Sequence, residues 1–436
     1  MKSFNFAVII FVFALIPYSV LADTIYVDLT GGGDYLTIQE GIDAALSGDL
    51  VLVAPGTYVE NIVFPGHAIA VRSDVDGDPA TEDVSPETTI ISRDLELDWS
   101  VVLFLSGDNE ETVLDGFTIT NGDTQFGGGI YCTSSSPTIT NCTISGNTAQ
   151  YGGGIYCLSS SPTITNCTIS DNSVTSGGGG IYCPSSSPTI TNCTISRNTA
   201  QYGGGICCFA ASSSPMITNC TISGNEANDD GGGIYCSSSS SPTITNCTLS
   251  GNTAQYGGGI YCWDSSSPAI TNCTISGNEA NDDGGGIYCD NESSVTILNS
   301  ILWGDVALDD GPEIWIGTVA HPSVLAVSYS DVEGGEDGIY WEPGCILDYD
   351  ESNIDVDPLF VSGELGDFYL GHIAAGDPTD SPCIDAGTGP AEEIGGTTRT
   401  DHVDDIGTVD MGYHYLTIDC TDNDADGYAF EGGSVA

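Results

Sequence analysis

One string constrains this chain more than any other feature. Between Gly127 and Cys289, G-G-G-I-Y-C returns seven times with small changes. Its isoleucines fall at Ile130, Ile155, Ile181, Ile206, Ile234, Ile260 and Ile287, spaced 25 to 28 residues apart. Between copies lies S-S-S-P-T-I-T-N-C-T-I-S-G-N. Self-similarity at this period implies stacked units that bury a shared core only when neighbours are present.

The units read as strands because their apolar residues alternate. Ile130 and Cys132 share a parity, with Tyr131 between them. Gly, Ser and Pro clusters punctuate the runs. Ile139 is odd-numbered, whereas Cys142 and Ile144 are even-numbered, so all three point inward only if the chain bends near Asn141. Asparagine tolerates the left-handed backbone that a tight bend needs. The pattern therefore predicts an all-β chain: a right-handed parallel β-helix with three-stranded rungs of about 26 residues. Corner asparagines stack through Asn141, Asn166, Asn192, Asn219, Asn246, Asn272 and Asn299. A second ladder runs from Asn147 through Asn172, Asn198, Asn225, Asn252 and Asn278 to Asp305.

The flanks suggest the same coil, less regular. Thr37 followed by Glu40 is a capping box, and Ile38, Ile42 and Leu46 share a helical face. Residues 37–46 are read as a short N-terminal helix closing the open end of the core. The expected organisation is a signal peptide at 1–22, a cap with irregular rungs at 23–126 and regular rungs at 127–305. Irregular rungs and a cap follow at 306–415, then an acidic tail at 416–436. The signal reading rests on Lys2, the apolar run Phe6–Ile16, Pro17 and the short residues at Val20–Ala22. It makes the protein secreted, extracellular or at the cell surface. No later stretch is apolar enough for a membrane helix.

Charge narrows the partners. Four arginines and one lysine face 61 acidic residues, for a formal net charge of −56. Such a surface repels nucleic acid and attracts cations. Only eight acids fall between residues 127 and 289, so a nearly neutral body separates two acidic flanks.

Resemblance adds to this. The opening T-I-Q-E-G-I-D-A-A-L-S-G-D-L-V-L-V-A-P-G-T-Y-V-E-N-I (37–62) resembles the first rungs of bacterial β-helix proteins of the pectin-lyase-like superfamily. G-G-G-I with I-S-G-N is similar to the repeats of polymorphic membrane proteins. D-P-L-F (357–360), S-P-C-I-D-A-G (381–387) and V-D-M-G (409–412) resemble the closing segment of secreted, surface-sorted β-helix proteins. The resemblance implies a fold that hosts lyases, hydrolases, adhesins and scaffolds alike. Lyases of this kind use calcium-binding carboxylates with a nearby Arg or Lys, and only Arg197 lies in the repeat body.

Several residue sets are candidates for function. Tyr131, Tyr156, Tyr182, Tyr235, Tyr261 and Tyr288 share one outward register, with Cys207 interrupting. They either present rings to the apolar faces of a polysaccharide or cell-surface glycan or form a ladder that only stabilises the sheet. Asp229-Asp230 and Asp282-Asp283 occupy equivalent loops two rungs apart, too regular for a catalytic pair. Thirteen of the 17 cysteines fill two ladder positions and are read as buried thiols. The histidines look scattered. Asp422, Asp424 and Asp426 with Gly427 match the first half of a calcium loop, and calcium is the one cofactor expected. The favoured reading is a binding scaffold, adhesin-like and without a catalytic residue set. The rivals are a carbohydrate-active enzyme, lyase or hydrolase, with its site in the acidic flanks, and a purely structural surface protein.

Overall fold

A computed structural model describes residues 22–75, 84–317, 321–391 and 394–416. The chain coils into a right-handed parallel β-solenoid of about 12 turns. The solenoid has four faces, not the expected three. In one body rung these are the I-Y-C strand (Ile130–Thr133), the T-I-T strand (Thr138–Thr140), the T-I-S strand (Thr143–Ser145) and a T-A-Q-Y strand (Thr148–Tyr151). Stacked in register, they give parallel sheets of 11, 13, 11 and 8 strands. The eight-stranded sheet includes Glu226–Asp230, so Asp229-Asp230, expected in a loop, lies on a strand.

The core is the column of inward side chains. Ile130, Cys132, Ile139, Cys142 and Ile144 are each at most 1% exposed, as are most equivalents in later rungs. Among the described residues all 16 cysteines are free thiols, and 15 of them are buried. They act as small apolar fillers between isoleucine layers.

The predicted bend is present at every corner asparagine from Asn141 to Asn299, with φ between 50° and 54°. Neighbouring corner amides bond along the stack, as from Asn166 Nδ2 to Asn141 Oδ1 at 3.3 Å. The second ladder is tighter and fully buried. In it each Oδ1 accepts both the N–H and the Nδ2–H of the preceding asparagine, for example Asn198 on Asn225 at 3.0 Å twice. The third glycine of each G-G-G is needed for close approach. A Cβ on Gly154 would lie 2.6 Å from the Gly180 carbonyl oxygen of the next rung.

Arg197 and Asp171 stand where most rungs place a left-handed glycine, with φ of 53° and 56°. They form a two-pronged ion pair, both bonds 2.9 Å, on an exposed corner. An exposed pair contributes up to about 1 kcal/mol and is screened by salt. The left-handed backbone costs a non-glycine residue about 1 kcal/mol or more. Arg197→Gly is therefore expected to be near-neutral in low salt and stabilising in 1 M NaCl. Urea midpoints at both salt concentrations check this, and a loss of stability in high salt would contradict it.

At the N-terminal end the helix Ile38–Ala44 closes the core, burying Ile38 and Ile42. Thr37 accepts the Glu40 N–H, as the capping box requires. The other free N–H groups of the first turn, from Ile38 and Gln39, go to the Glu60 carboxylate at 2.8 and 2.9 Å. At the other end the stacked sheets stop at Tyr349. An antiparallel hairpin follows, Phe360–Gly363 with Gly366–Leu370. The chain then runs back along the asparagine corner. Thr388 exchanges bonds with the Asn299 amide, Tyr413 N–H donates to Thr274, and His414 exchanges two bonds with the Asn246 amide. Among the described residues no helix is long and apolar enough to cross a membrane.

Candidate functional site

The tyrosine row stands outside the core as expected, but it is not an exposed stripe. Tyr156, Tyr261 and Tyr288 are only 7–8% exposed, and Tyr131, Tyr182 and Tyr235 are half-buried. Two contacts cover them. The rings stack on one another, Tyr235 on Tyr261 at 5.4 Å and Tyr261 on Tyr288 at 5.0 Å, nearly parallel. A second row, at the end of the T-A-Q-Y face, leans over them.

That second row reads Phe126, Tyr151, Gly177, Tyr202, Asp230, Tyr256 and Asp283, one residue before each G-G-G, and then Asp310 before the equivalent G-P-E. Where it is aromatic, its ring covers the inner tyrosine of the following rung. The contacts are Phe126 to Tyr156 at 5.2 Å, Tyr151 to Tyr182 at 5.3 Å, and Tyr256 to Tyr288 at 5.4 Å. Where it is aspartate the neighbouring ring is still buried: Tyr261 beside Asp230 is 8% exposed and Trp315 beside Asp283 is 6% exposed. Only past the last position, Asp310, does the inner row become exposed, at Tyr340.

The opening is a shallow cleft of ≈ 460 Å³ lined by Asp283, Leu308, Asp309, Asp310, Trp315, Tyr340 and Glu342. Its floor continues the inner aromatic row: Trp315 stacks on Tyr288 at 4.3 Å and Tyr340 follows at 6.0 Å. Tyr340 is 38% exposed, the most open ring of the row. Burial, with the charges of Asp310, Asp309 and Asp282, holds the Asp283 carboxyl above its usual range, although it accepts the Asp310 N–H at 3.0 Å. Asp230 is pushed up to about 7 by burial and by Asp229. Asp229 and Asp282 accept bonds from Gln201 and Gln255 of the neighbouring rungs at 2.8 and 2.6 Å, so each is tied into the T-A-Q-Y face.

A second cleft, ≈ 550 Å³, lies in the N-terminal flank around Arg93, Leu95, Asn121 and Asp123. The Arg93 guanidinium is engaged there by the Leu97 carbonyl and by Asp98 and Asp123 at 3.6 and 3.4 Å. Asp422, Asp424 and Asp426 lie outside the described residues. Trp315 and Tyr340 escaped the tyrosine pattern because one is tryptophan and both follow the last G-G-G. Their signal was the register, since each follows an isoleucine at the repeat spacing (Ile314, Ile339). The histidines are less scattered than they look, because the C-terminal fold-back brings His372 and His414 to the same two aspartates, Asp405 and Asp410.

Comparison with known proteins agrees with the architecture. Residues 101–228 and 128–302 match the family described as right handed beta helix region. No curated protein matches. Among solved structures, the chain is similar to the pectate lyase Pel9A, at 15% identity and TM-score 0.47, covering 90% of this chain and 96% of that one. It is also similar to an alginate lyase from Paenibacillus sp. str. FPU-7 (12% identity, TM-score 0.26, 77% and 99% covered). A pectin methylesterase from Aspergillus niger is at 15% identity and TM-score 0.27, with 76% and 85% covered. Its stacked parallel coils, with the family-model match over residues 101–302, make the chain a right-handed parallel β-helix.

Proposed function

We propose that this protein is an extracellular β-helix scaffold that binds a neutral, hydroxyl-rich glycan, adhesin-like, with the glycan end-on in the cleft at Trp315 and Tyr340. One observation carries this reading: the inner aromatic row is buried or half-buried along the body and reaches its most exposed ring, Tyr340, beside four carboxylates. A half-exposed ring offers its face to the C–H side of a sugar, and carboxylates around it accept sugar hydroxyls. The same carboxylates repel uronates, so an acidic glycan needs a bridging calcium ion and a neutral one does not.

The test is binding of neutral and acidic oligosaccharides by calorimetry, with and without EDTA. Tyr340→Ala is expected to weaken neutral-glycan binding about tenfold, the worth of roughly 1.4 kcal/mol. Tyr156→Ala, in the covered part of the row, is expected to lower stability and leave binding unchanged. No binding to any glycan, or equal loss from both variants, would falsify the cleft as the site.

A second reading, polysaccharide cleavage, is favoured by the Arg93 cleft. Release of reducing ends that is lost in Arg93→Ala, with Tyr340→Ala unaffected, would establish it instead.

A further inference from the structure

We propose that the buried pocket formed by His372, Asp405 and Asp410 in the C-terminal cap binds one divalent transition-metal ion of the zinc class. One ligand atom from each of the three lies within 4.8 Å of the others, and all three side chains are buried. His372 Nε2 and Asp410 Oδ2 face each other at 3.8 Å, too far for a hydrogen bond. Zinc holds nitrogen and oxygen ligands at about 2.0–2.2 Å, which sets ligand-to-ligand edges of roughly 3.3–3.6 Å. The observed gap is therefore close to one edge of a tetrahedral site.

The remaining contacts hold these groups in place. Asp405 Oδ2 accepts the Thr398 N–H at 2.9 Å and pairs with His414 Nδ1 at 3.0 Å. Asp410 Oδ1 accepts the Asp385 N–H at 2.7 Å, and its Oδ2 accepts the Thr398 hydroxyl. That hydroxyl also lies 3.1 Å from His372 Nε2, which places a neutral oxygen at the same point. His414 Nε2 is 3.1 Å from the Asp410 carbonyl. A histidine donating to a metal-bound carboxylate orients that ligand from behind.

Charge gives a second, independent reason. Two carboxylates share a pocket whose side chains are at most 8% exposed. The nearby arginine, Arg399, is committed to Asp401 through two bonds. A bound cation would balance these two carboxylates. Calcium takes six to eight oxygens, which this pocket does not supply, whereas one imidazole with two carboxylates suits zinc. The ion ties the end of the hairpin at His372 to the segment that docks on Asn246 and Thr274, and so latches the cap to the side of the column.

The experiment uses the full chain, stripped with chelator and titrated with zinc chloride. Bound metal is counted by mass spectrometry after gel filtration, and cobalt(II) serves as a spectroscopic substitute. One zinc per chain is expected, with a raised thermal midpoint that calcium does not reproduce. Cobalt should show weak d–d bands without a thiolate charge-transfer band. His372→Gln, which keeps an amide beside Thr398, should lose the zinc and the midpoint shift while keeping its far-ultraviolet spectrum. His414→Gln should weaken zinc about 10–100-fold. A stoichiometry unchanged by His372→Gln, a thiolate band, or no bound zinc overturns the proposal. These readouts require no glycan, so they stand or fall apart from the binding cleft.

Discussion

Replacing both carboxyls at the end of the buried ladder, Asp305→Asn with Glu313→Gln, is expected to stabilise the protein by about 1–4 kcal/mol in mildly alkaline buffer. The gain should shrink toward pH 5. Asp305 occupies the asparagine position of the next rung and accepts the Asn278 N–H and Nδ2–H at 2.7 and 2.9 Å. It has no amide hydrogen to pass on. Its Oδ2 has no partner, nor does Oε2 of Glu313, whose Oε1 accepts the Asp305 N–H at 3.2 Å. Both side chains are at most 4% exposed. Burial and the Asp305 charge raise the Glu313 carboxyl well above its usual range, and burial raises Asp305 against the bonds from Asn278.

A carboxyl raised in the folded chain holds a proton that the unfolded chain has released. Stability is therefore full below the ordinary carboxylate range and falls as pH rises from there through the raised values. The double amide variant takes up no proton at these two positions and removes that part of the slope. Urea midpoints at pH 5, 7 and 9 measure it. If wild type and variant show parallel pH profiles, the pair is not the source.

This site marks where the sequence stops being legible. The Asn147-to-Asp305 ladder was visible as spacing, and so was its last member being aspartate. Glu313 was not, although it stands where earlier rungs place the third glycine of G-G-G, one residue before Ile314, because a carboxylate there breaks the pattern that marks the position. Likewise the corner asparagines announced themselves through the parity change between Ile139 and Cys142, a purely local signal. The fourth face was missed although a signal existed. Two residues after each ladder asparagine stands a small apolar residue: Ala149, Val174, Ala200, Ala227, Ala254, Ala280 and Ala307. Val174, Ala200, Ala227, Ala254 and Ala280 are at most 6% exposed. An inward asparagine with an inward alanine two residues on is a strand of period two, hidden by its shortness and its polar neighbours. The tyrosine register was read correctly, yet exposure depended on that missed face, which carries the rings that cover the row. The His372 cluster was beyond any repeat argument, since only the fold-back of residues 360–415 assembles it.

The ladder also yields the largest loss expected from a single change, at Asn198 in its middle. Asn198 is wholly buried. Its Oδ1 accepts Asn172 N–H and Nδ2–H at 3.1 and 3.0 Å, and its Nδ2 donates to Ile169 O at 2.9 Å and Asn225 Oδ1 at 3.0 Å. Asn198→Leu keeps the volume and removes every one of these side-chain bonds. It strands two donors of Asn172 and the Ile169 carbonyl, at about 1–3 kcal/mol each. A loss of roughly 3–6 kcal/mol is expected. Asn198→Asp separates the donor from the acceptor role. The carboxylate keeps the acceptor for Asn172, but without a proton it faces Ile169 O and Asn225 Oδ1, two acceptors, with a buried charge. Protonated, it is an adequate stand-in for the amide. Asn198→Asp should therefore stay near wild type at pH 4 and fall toward the leucine variant by pH 8. Because each rung contacts only its neighbours, the damage should open the column locally before it unfolds. Hydrogen exchange should rise first at the Ile169 to Ile222 rungs and last at the N-terminal rungs around Val51. Uniform exchange along the column, or an aspartate variant with no pH dependence, would show that rung stacking rather than the amide chain sets the stability of the body.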